Sequence, residues 1–204
     1  LMLAPMQGLT NRAMRTLITE MAHPDTVFTE FVRMNTGART KLKKTDLLEA
    51  TTTTPGTPLV VQLIGNRLDS LLSGAHLLQE AGAVHVNLNL GCPYGRMTSG
   101  PTGGGILREP ERLNELIPAL RATVRGTFSV KIRSGYDDPE QVLGLVPLFE
   151  ANDVDFLILH PRTVKQEYTG IADHQLTARV VASTSIPVIA NGEIRRDADE
   201  KRSV

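Results

Sequence analysis

The chain has 204 residues, 41% of them hydrophobic and 22% charged, with 22 basic side chains against 22 acidic ones. Its one cysteine permits no internal disulfide, which excludes a disulfide scaffold or a multi-cysteine metal site and suits a reducing cytoplasm. No apolar run approaches the roughly 20 residues of a membrane span, no signal-peptide pattern opens the chain, and zero net charge gives no general pull toward nucleic acid, leaving only room for a local basic face.

The length supports one sizeable core, since a domain of this size buries roughly 70% of the surface of its unfolded chain. Short β-rich apolar runs predict strands at 1–4, 26–29, 59–64, 84–88, 128–132, 156–159 and 187–190. Helical spacing predicts helices at 11–21, 68–81, 109–124, 139–151 and 174–183. Gly82 stands where the second of these stops, and Pro110 and Pro139 stand near helix starts, where a missing N–H costs little. The segment 36–58, with a charged piece and then a threonine run ahead of Pro55, reads as a connecting excursion.

Alternation of strand and helix predicts βαβ units and a parallel sheet. Polar, chemically capable side chains follow successive strands: Pro5, Met6 and Gln7; Glu30 and Arg33; Gln62; Asn89 and Cys92; Lys131 and Arg133; His160 and Arg162; Asn191, Gly192 and Glu193. In a barrel of parallel strands those positions share one face, where active sites are built from βα loops. An open doubly wound sheet gathers its ligand at one switch point instead, so the even distribution favours a TIM (β/α)8-type barrel.

Cys92 lies in Asn89-Leu90-Gly91-Cys92-Pro93, after a strand and before the glycine-rich loop 100–105. A thiol there can act as a proton donor or, beside a cation, as a nucleophile, and the sequence leaves both open. Gly103-Gly104-Gly105 matches neither the Rossmann nor the P-loop pattern; a phosphate cradle, close backbone packing and a mobile lid all remain open. Lys131 and Arg133 lie two apart on a strand and point the same way, as a solvated edge pair or as cations facing a cofactor. Gln62 and Asn191 can donate and accept at once, which suits a heteroaromatic edge or a buried clasp. His160 is a structural histidine or a contact to phosphate or a ring nitrogen. Metal binding is not expected: His23, His76, His85 and His174 are scattered. No serine elbow or carboxylate pair suggests a hydrolase.

These residues resemble the FMN-dependent tRNA-dihydrouridine synthases. The matching motifs are Ala4-Pro5-Met6-x-Gly8, Thr29-Glu30-Phe31-Val32-Arg33, Val61-Gln62-Leu63-x-Gly65, Asn89-Leu90-Gly91-Cys92-Pro93, Val130-Lys131-Ile132-Arg133, His160-x-Arg162-Thr163 with Gln166, Tyr168 and Gly170, and Pro187 through Ile194. They run in order over almost the whole chain, and their wording is most similar to the bacterial C-type branch, which modifies position 16 of the tRNA D-loop.

The resemblance implies a barrel holding FMN at its C-terminal face, with NADPH as reductant, a tRNA substrate, and reduction of the uridine C5–C6 double bond with Cys92 as proton donor. By motif match, Pro5, Met6 and Gln7 line the flavin and Gln62 and Lys131 meet its pyrimidine edge. His160, Asn191, Gly192 and Glu193 hold the ring and phosphate end, while Arg33, Asn89 and Arg133 face the RNA. A cytoplasmic monomer without membrane attachment is expected. Other readings are another FMN-barrel oxidoreductase, or an inactive barrel that binds RNA or a partner.

Two residues depart from the family pattern: Asn87, where an acidic residue is common, and His174, near a usual aromatic. Family members also continue past Asn191-Gly192-Glu193-Ile194 into another helix, an eighth strand, a phosphate motif and a helical tRNA-binding domain. The expectation is a partial barrel over 1–194, about seven strands and C-terminally truncated, followed by a charged tail at 195–204.

Overall fold

The computed structural model describes residues 1–34, 42–93 and 100–194. The expected tail at 195–204 lies outside the described residues, as does the stretch 36–41 of the expected excursion. Eight strands and six α-helices alternate among the described residues. In chain order they are β1 (Met2–Leu3), α1 (Arg12–Ala22), β2 (Thr26–Phe28), β3 (Val32–Arg33), α2 (Lys44–Thr51), β4 (Leu59–Ile64), α3 (Leu68–Glu80), β5 (His85–Leu90), α4 (Leu113–Thr123), β6 (Thr127–Arg133), α5 (Gln141–Ala151), β7 (Phe156–His160), α6 (His174–Ala182) and β8 (Val188–Ala190).

All seven expected strands are present, and β3 and α2 are additions to the expected series. Two residues carry no periodicity, so β3 exists only through its pairing, Val32 with Leu63 and Arg33 with Ile64 of β4. The α2 sequence KTDLLEAT, with a threonine near each end, signals helix poorly. The buried Arg15 of α1 docks it, donating to the Glu49 carboxylate at 2.8 Å and to the Glu49 carbonyl at 2.9 Å. The helix expected from residue 109 opens instead as 3₁₀ turns, Gly103–Arg108 and Pro110–Arg112, and becomes α only at Leu113. Gly82, with φ 105°, follows the end of α3 in the left-handed conformation glycine adopts freely.

The chain forms two compact units: Leu1–Leu88 with Ala122–Thr127, and Asn89–Arg121 with the residues from Phe128 onward. In the first, parallel strands run in the order β1, β2, β4, β5, with β3 also pairing on β4. Every residue of β4 is buried, as expected of a parallel strand covered on both faces. In the second, β6, β7 and β8 pair in parallel, with Arg133 opposite His160 and Leu159 opposite Ala190.

Strand alternation sets up the chemistry. Phe128, Val130 and Ile132 of β6 are fully buried on one side and place Ser129, Lys131 and Arg133 on the other. Phe149 of α5, Leu157 of β7 and Val180 of α6 complete the core of this unit, each without measurable exposure. Truncating such a phenylalanine to alanine costs about 3–5 kcal/mol.

Candidate active site

Within the second unit, the chemically capable residues stand at the carboxyl ends of the strands: Asn89 on β5 with Cys92 just beyond it, Lys131 and Arg133 on β6, His160 ending β7, and Asn191 following β8. The backbone around Cys92 is fixed at several points. The Asn89 Oδ1 accepts the N–H of Gly91 at 3.0 Å and of Cys92 at 2.9 Å. The Cys92 carbonyl accepts the Gly104 N–H at 3.0 Å. The free thiol sits half-buried.

Close packing is the role the structure gives the glycine run. A Cβ on Gly104 would lie 2.6 Å from the Val164 Cγ2 and 3.0 Å from the Cys92 carbonyl oxygen. The Gly104 and Gly105 amides already bond the Cys92 and Thr102 carbonyls, which removes them from a phosphate cradle.

Lys131 donates from Nζ to the Asn191 Oδ1 at 2.8 Å, and the Asn191 N–H is tied to the Leu159 carbonyl at 2.9 Å. Burial first, and the neighbouring Arg133 charge second, lower the Lys131 pKa to about 8, while Cys92 acts in the opposite direction. The ammonium therefore remains mostly charged at neutral pH.

Arg133 is 3% exposed. Its Nε donates to the Gly91 carbonyl at 2.9 Å, and its Nη1 to the carbonyls of Thr163 at 3.0 Å and Glu167 at 2.6 Å. Its guanidinium carbon lies 5.2 Å from the centre of the Tyr168 ring, and burial lowers its pKa. The Asn89 side chain thus caps the cysteine loop, and the Arg133 fork is held by main-chain carbonyls.

His160 is 6% exposed. Burial, followed by the positive charges of Arg133, Lys131 and Arg162, lowers its pKa to about 3. The ring is neutral, and its Nδ1 accepts the Arg162 N–H at 3.4 Å, which assigns the proton to Nε2. Gly192 lies against this ring: with φ 102°, a Cβ there would come within 2.6 Å of the His160 Nε2.

The Glu193 carboxylate is an internal partner as well. It pairs with the Arg162 Nη2 at 2.7 Å and accepts the Ala172 N–H at 2.9 Å, while the His174 Nε2 donates to the Gly192 carbonyl at 2.8 Å. The sequence placed Arg162 after a strand and His174 among the scattered histidines, without a partner for either. A buried guanidinium two residues beyond a strand needs a carboxylate, and Glu30 and Glu193 were the two acids at strand ends; the structure pairs Arg162 with Glu193.

The first unit holds the remaining expected residues. Gln62 is fully buried on β4, donating from Nε2 to the Asn87 Oδ1 at 2.7 Å. An amide thus serves as acceptor where an acid is common in the resembling family. Pro5, Met6 and Gln7 form a turn closed by Thr10, with Met6 41% exposed. Arg33 is exposed on β3, over the Phe31 ring at 5.6 Å. Among the described residues, no group of three or more His, Cys, Asp or Glu side chains is placed to hold a metal ion, and no helix is long and apolar enough to cross a membrane.

Element order and pairing are those of the parallel β/α class, of the incomplete (β/α)8-barrel type, with a thiol, an ammonium and a neutral imidazole at strand ends. Morphinone reductase shares this fold at a TM-score of 0.63 and 11% identity, covering 100% of this chain and 78% of that one. The family model described as Dihydrouridine synthase (Dus) matches residues 2–204, and the chain belongs to that family. It is 32% identical to a tRNA-dihydrouridine(16) synthase of Pseudomonas putida over 98% of this chain and 64% of that protein. It is 31% identical to the one of Cupriavidus necator over 99% and 65%. The chain thus spans just under two thirds of the length of these relatives.

Proposed function

We propose that this chain carries the site of an FMN-dependent tRNA-dihydrouridine synthase, an oxidoreductase that saturates the C5–C6 bond of a D-loop uridine at position 16. The observation that carries this reading is the fixing of Cys92 by Asn89 and Gly104 at the end of β5, within electrostatic reach of Lys131 and Arg133. A bound flavin supplies a hydride for C6, with NADPH as its reductant.

The donor set suits such a group. Arg162 has a buried Nε without a partner among the described residues, the neutral His160 offers Nε2–H, and Lys131 offers an ammonium beside Asn191. These are hydrogen-bond donors for a pyrimidine edge or a phosphate. Gly192 lets its backbone lie directly against the His160 ring, where a side chain would displace it. By their match to the family's motifs, Pro5, Met6, Gln7 and Gln62 are proposed as flavin-lining residues, and Asn191, Gly192 and Glu193 as supports of its ring and phosphate end.

Cys92 is the acid. Its thiol gives the proton to uridine C5 as hydride reaches C6, which adds one H⁻ and one H⁺ across the double bond and leaves a thiolate. Lys131 and Arg133 offset that charge until solvent returns the proton. The uridine must leave its stack for either atom to be reached. The exposed Arg33 is proposed to contact the phosphates of the tRNA. The protein is proposed to act as a cytoplasmic monomer.

Anaerobic reduction by NADPH, followed by reoxidation with unmodified tRNA, tests the reading. The expected results are flavin bleaching, recovery of the oxidised spectrum with tRNA, and loss of dihydrouridine formation but not of flavin in Cys92→Ala. Reoxidation by a small enone but not by tRNA assigns the site to another oxidoreductase. Unchanged turnover in Cys92→Ala removes the proton-donor assignment.

A further inference from the structure

Arg133 occupies a singular position in the second unit. Its guanidinium touches three main-chain carbonyls from two segments: Gly91, next to Cys92, and Thr163 and Glu167 of the turn beyond β7. The Gly91–Cys92 backbone is otherwise held by Asn89 through its two amides and by Gly104 through the Cys92 carbonyl. The Gly91 carbonyl is the remaining polar group of that dipeptide, and Arg133 is the side chain that takes it. A Cβ on Gly91 would meet the Arg133 Cγ at 3.5 Å, so the stem packs directly beneath the loop. Glu167, whose carbonyl receives the shortest of the three bonds, has φ 50°, a conformation that persists only where its surroundings hold it.

We infer that Arg133 is a positioning residue for Cys92, a three-way clamp that fixes the cysteine loop against the 163–167 turn and sets where the thiol points. This deepens the proton-donor reading of Cys92 and rests on it. The fork geometry is essential: a planar guanidinium reaches carbonyls in different directions at once, whereas an ammonium is a point donor. The clamp sits one residue from the thiol, so its loss frees the loop without removing any group that reacts.

The chain's one cysteine makes the test direct, because a thiol reagent reads Cys92 alone. The rate of alkylation by iodoacetamide is measured against pH in the full chain for wild type, Arg133→Lys, Arg133→Gln and a remote core control, Phe149→Leu. At the high-pH plateau the thiolate is fully formed and reactivity reports accessibility. Both Arg133 variants are expected to raise that plateau about tenfold, the factor a charge-assisted hydrogen bond carries, while Phe149→Leu leaves it unchanged. Arg133→Lys keeps the charge but not the fork, so a plateau raised as much as in Arg133→Gln assigns the effect to geometry. In turnover the variants are expected to lose kcat with little change in KM for tRNA.

An unchanged plateau in both variants overturns the clamp. So does a raised KM for tRNA with a shallower salt dependence, the pattern of a phosphate contact. Should neither variant fold, the Arg133 Nε–H signal of the wild-type protein decides: slow exchange with solvent supports the clamp, and fast averaged exchange overturns it. These readouts do not depend on turnover, so a failure of the proton-donor reading shows separately, as retained activity in Cys92→Ala.

Discussion

The Arg162 guanidinium, with a side chain 4% exposed, meets the Glu193 carboxylate at 2.7 Å, and Glu193 itself sits at φ 58°. The ion pair and the left-handed backbone are therefore one feature: the side chain anchors a turn its own residue type disfavours. Removing the carboxylate leaves a buried cation whose Nε already lacks a partner among the described residues. Breaking a buried pair from one side costs about 3–5 kcal/mol, and the one-third exposure of Glu193 reduces this to about 2 kcal/mol. Glu193→Ala is expected to lose about that much in urea denaturation. Glu193→Gly should lose about 1 kcal/mol less, because glycine adopts this φ without strain. Equal losses would remove strain from the explanation.

Gly192→Ala tests the contact with His160. The new methyl meets two obstacles: φ 102°, which side chains rarely adopt, and the His160 Nε2 at 2.6 Å. Stability should fall by about 1–3 kcal/mol for the backbone conformation alone. Displacing the imidazole moves a proposed cofactor donor, so the flavin retained on purification, read from the visible spectrum, should fall with it. Full retention would separate His160 from cofactor binding.

How far the sequence led can be judged from particular residues. The long strands were legible because β4 is an apolar run broken only by Gln62, the pattern of burial on both faces, and β6 alternates Phe128, Val130 and Ile132 with polar residues, the period of a strand. β3 and α2 were not, because both depend on partners distant in sequence: β3 on β4, and α2 on Arg15. Alternation correctly placed Lys131 and Arg133 on one side of β6. It carried no information on their tasks, which differ because Lys131 meets an amide side chain while Arg133 meets main-chain carbonyls. A carbonyl leaves no trace in residue identity, so the clamp and the His174 bond to Gly192 were invisible until the backbone was placed.

The Lys131 ammonium should leave a mark on alkaline stability. In the fold its pKa is about 8, against 10.5 when unfolded. Between those values the unfolded chain holds a proton the folded chain has released, so stability rises with pH over that interval. The rise from this group is at most about 3 kcal/mol, at 1.36 kcal/mol per pKa unit. Lys131→Met removes it. The variant should stand above wild type at pH 7 by about 2 kcal/mol, after allowing about 1 kcal/mol for the lost bond to Asn191, and the gap should close within the interval and reverse toward its upper end, where only the lost bond remains. Parallel stability curves for the two proteins would show that Lys131 keeps its ordinary pKa.

His160 should act at the acid end. Its pKa is about 3 in the fold and 6.5 unfolded. As pH falls below the unfolded value, the unfolded chain takes up a proton that the buried ring refuses, so stability is lost progressively down to the folded value and is undiminished above 6.5. The slope approaches about 1.4 kcal/mol per pH unit for this one group. His160→Gln keeps a neutral acceptor for the Arg162 N–H and a donor at its far end, but does not titrate. Its acid limb is expected to be shallower by one proton, measured as urea stability at several pH values across the interval. Superimposable limbs would mean that His160 charges in the folded protein. It would then be a cation beside Lys131, Arg133 and Arg162 rather than the neutral donor that the proposed flavin site requires.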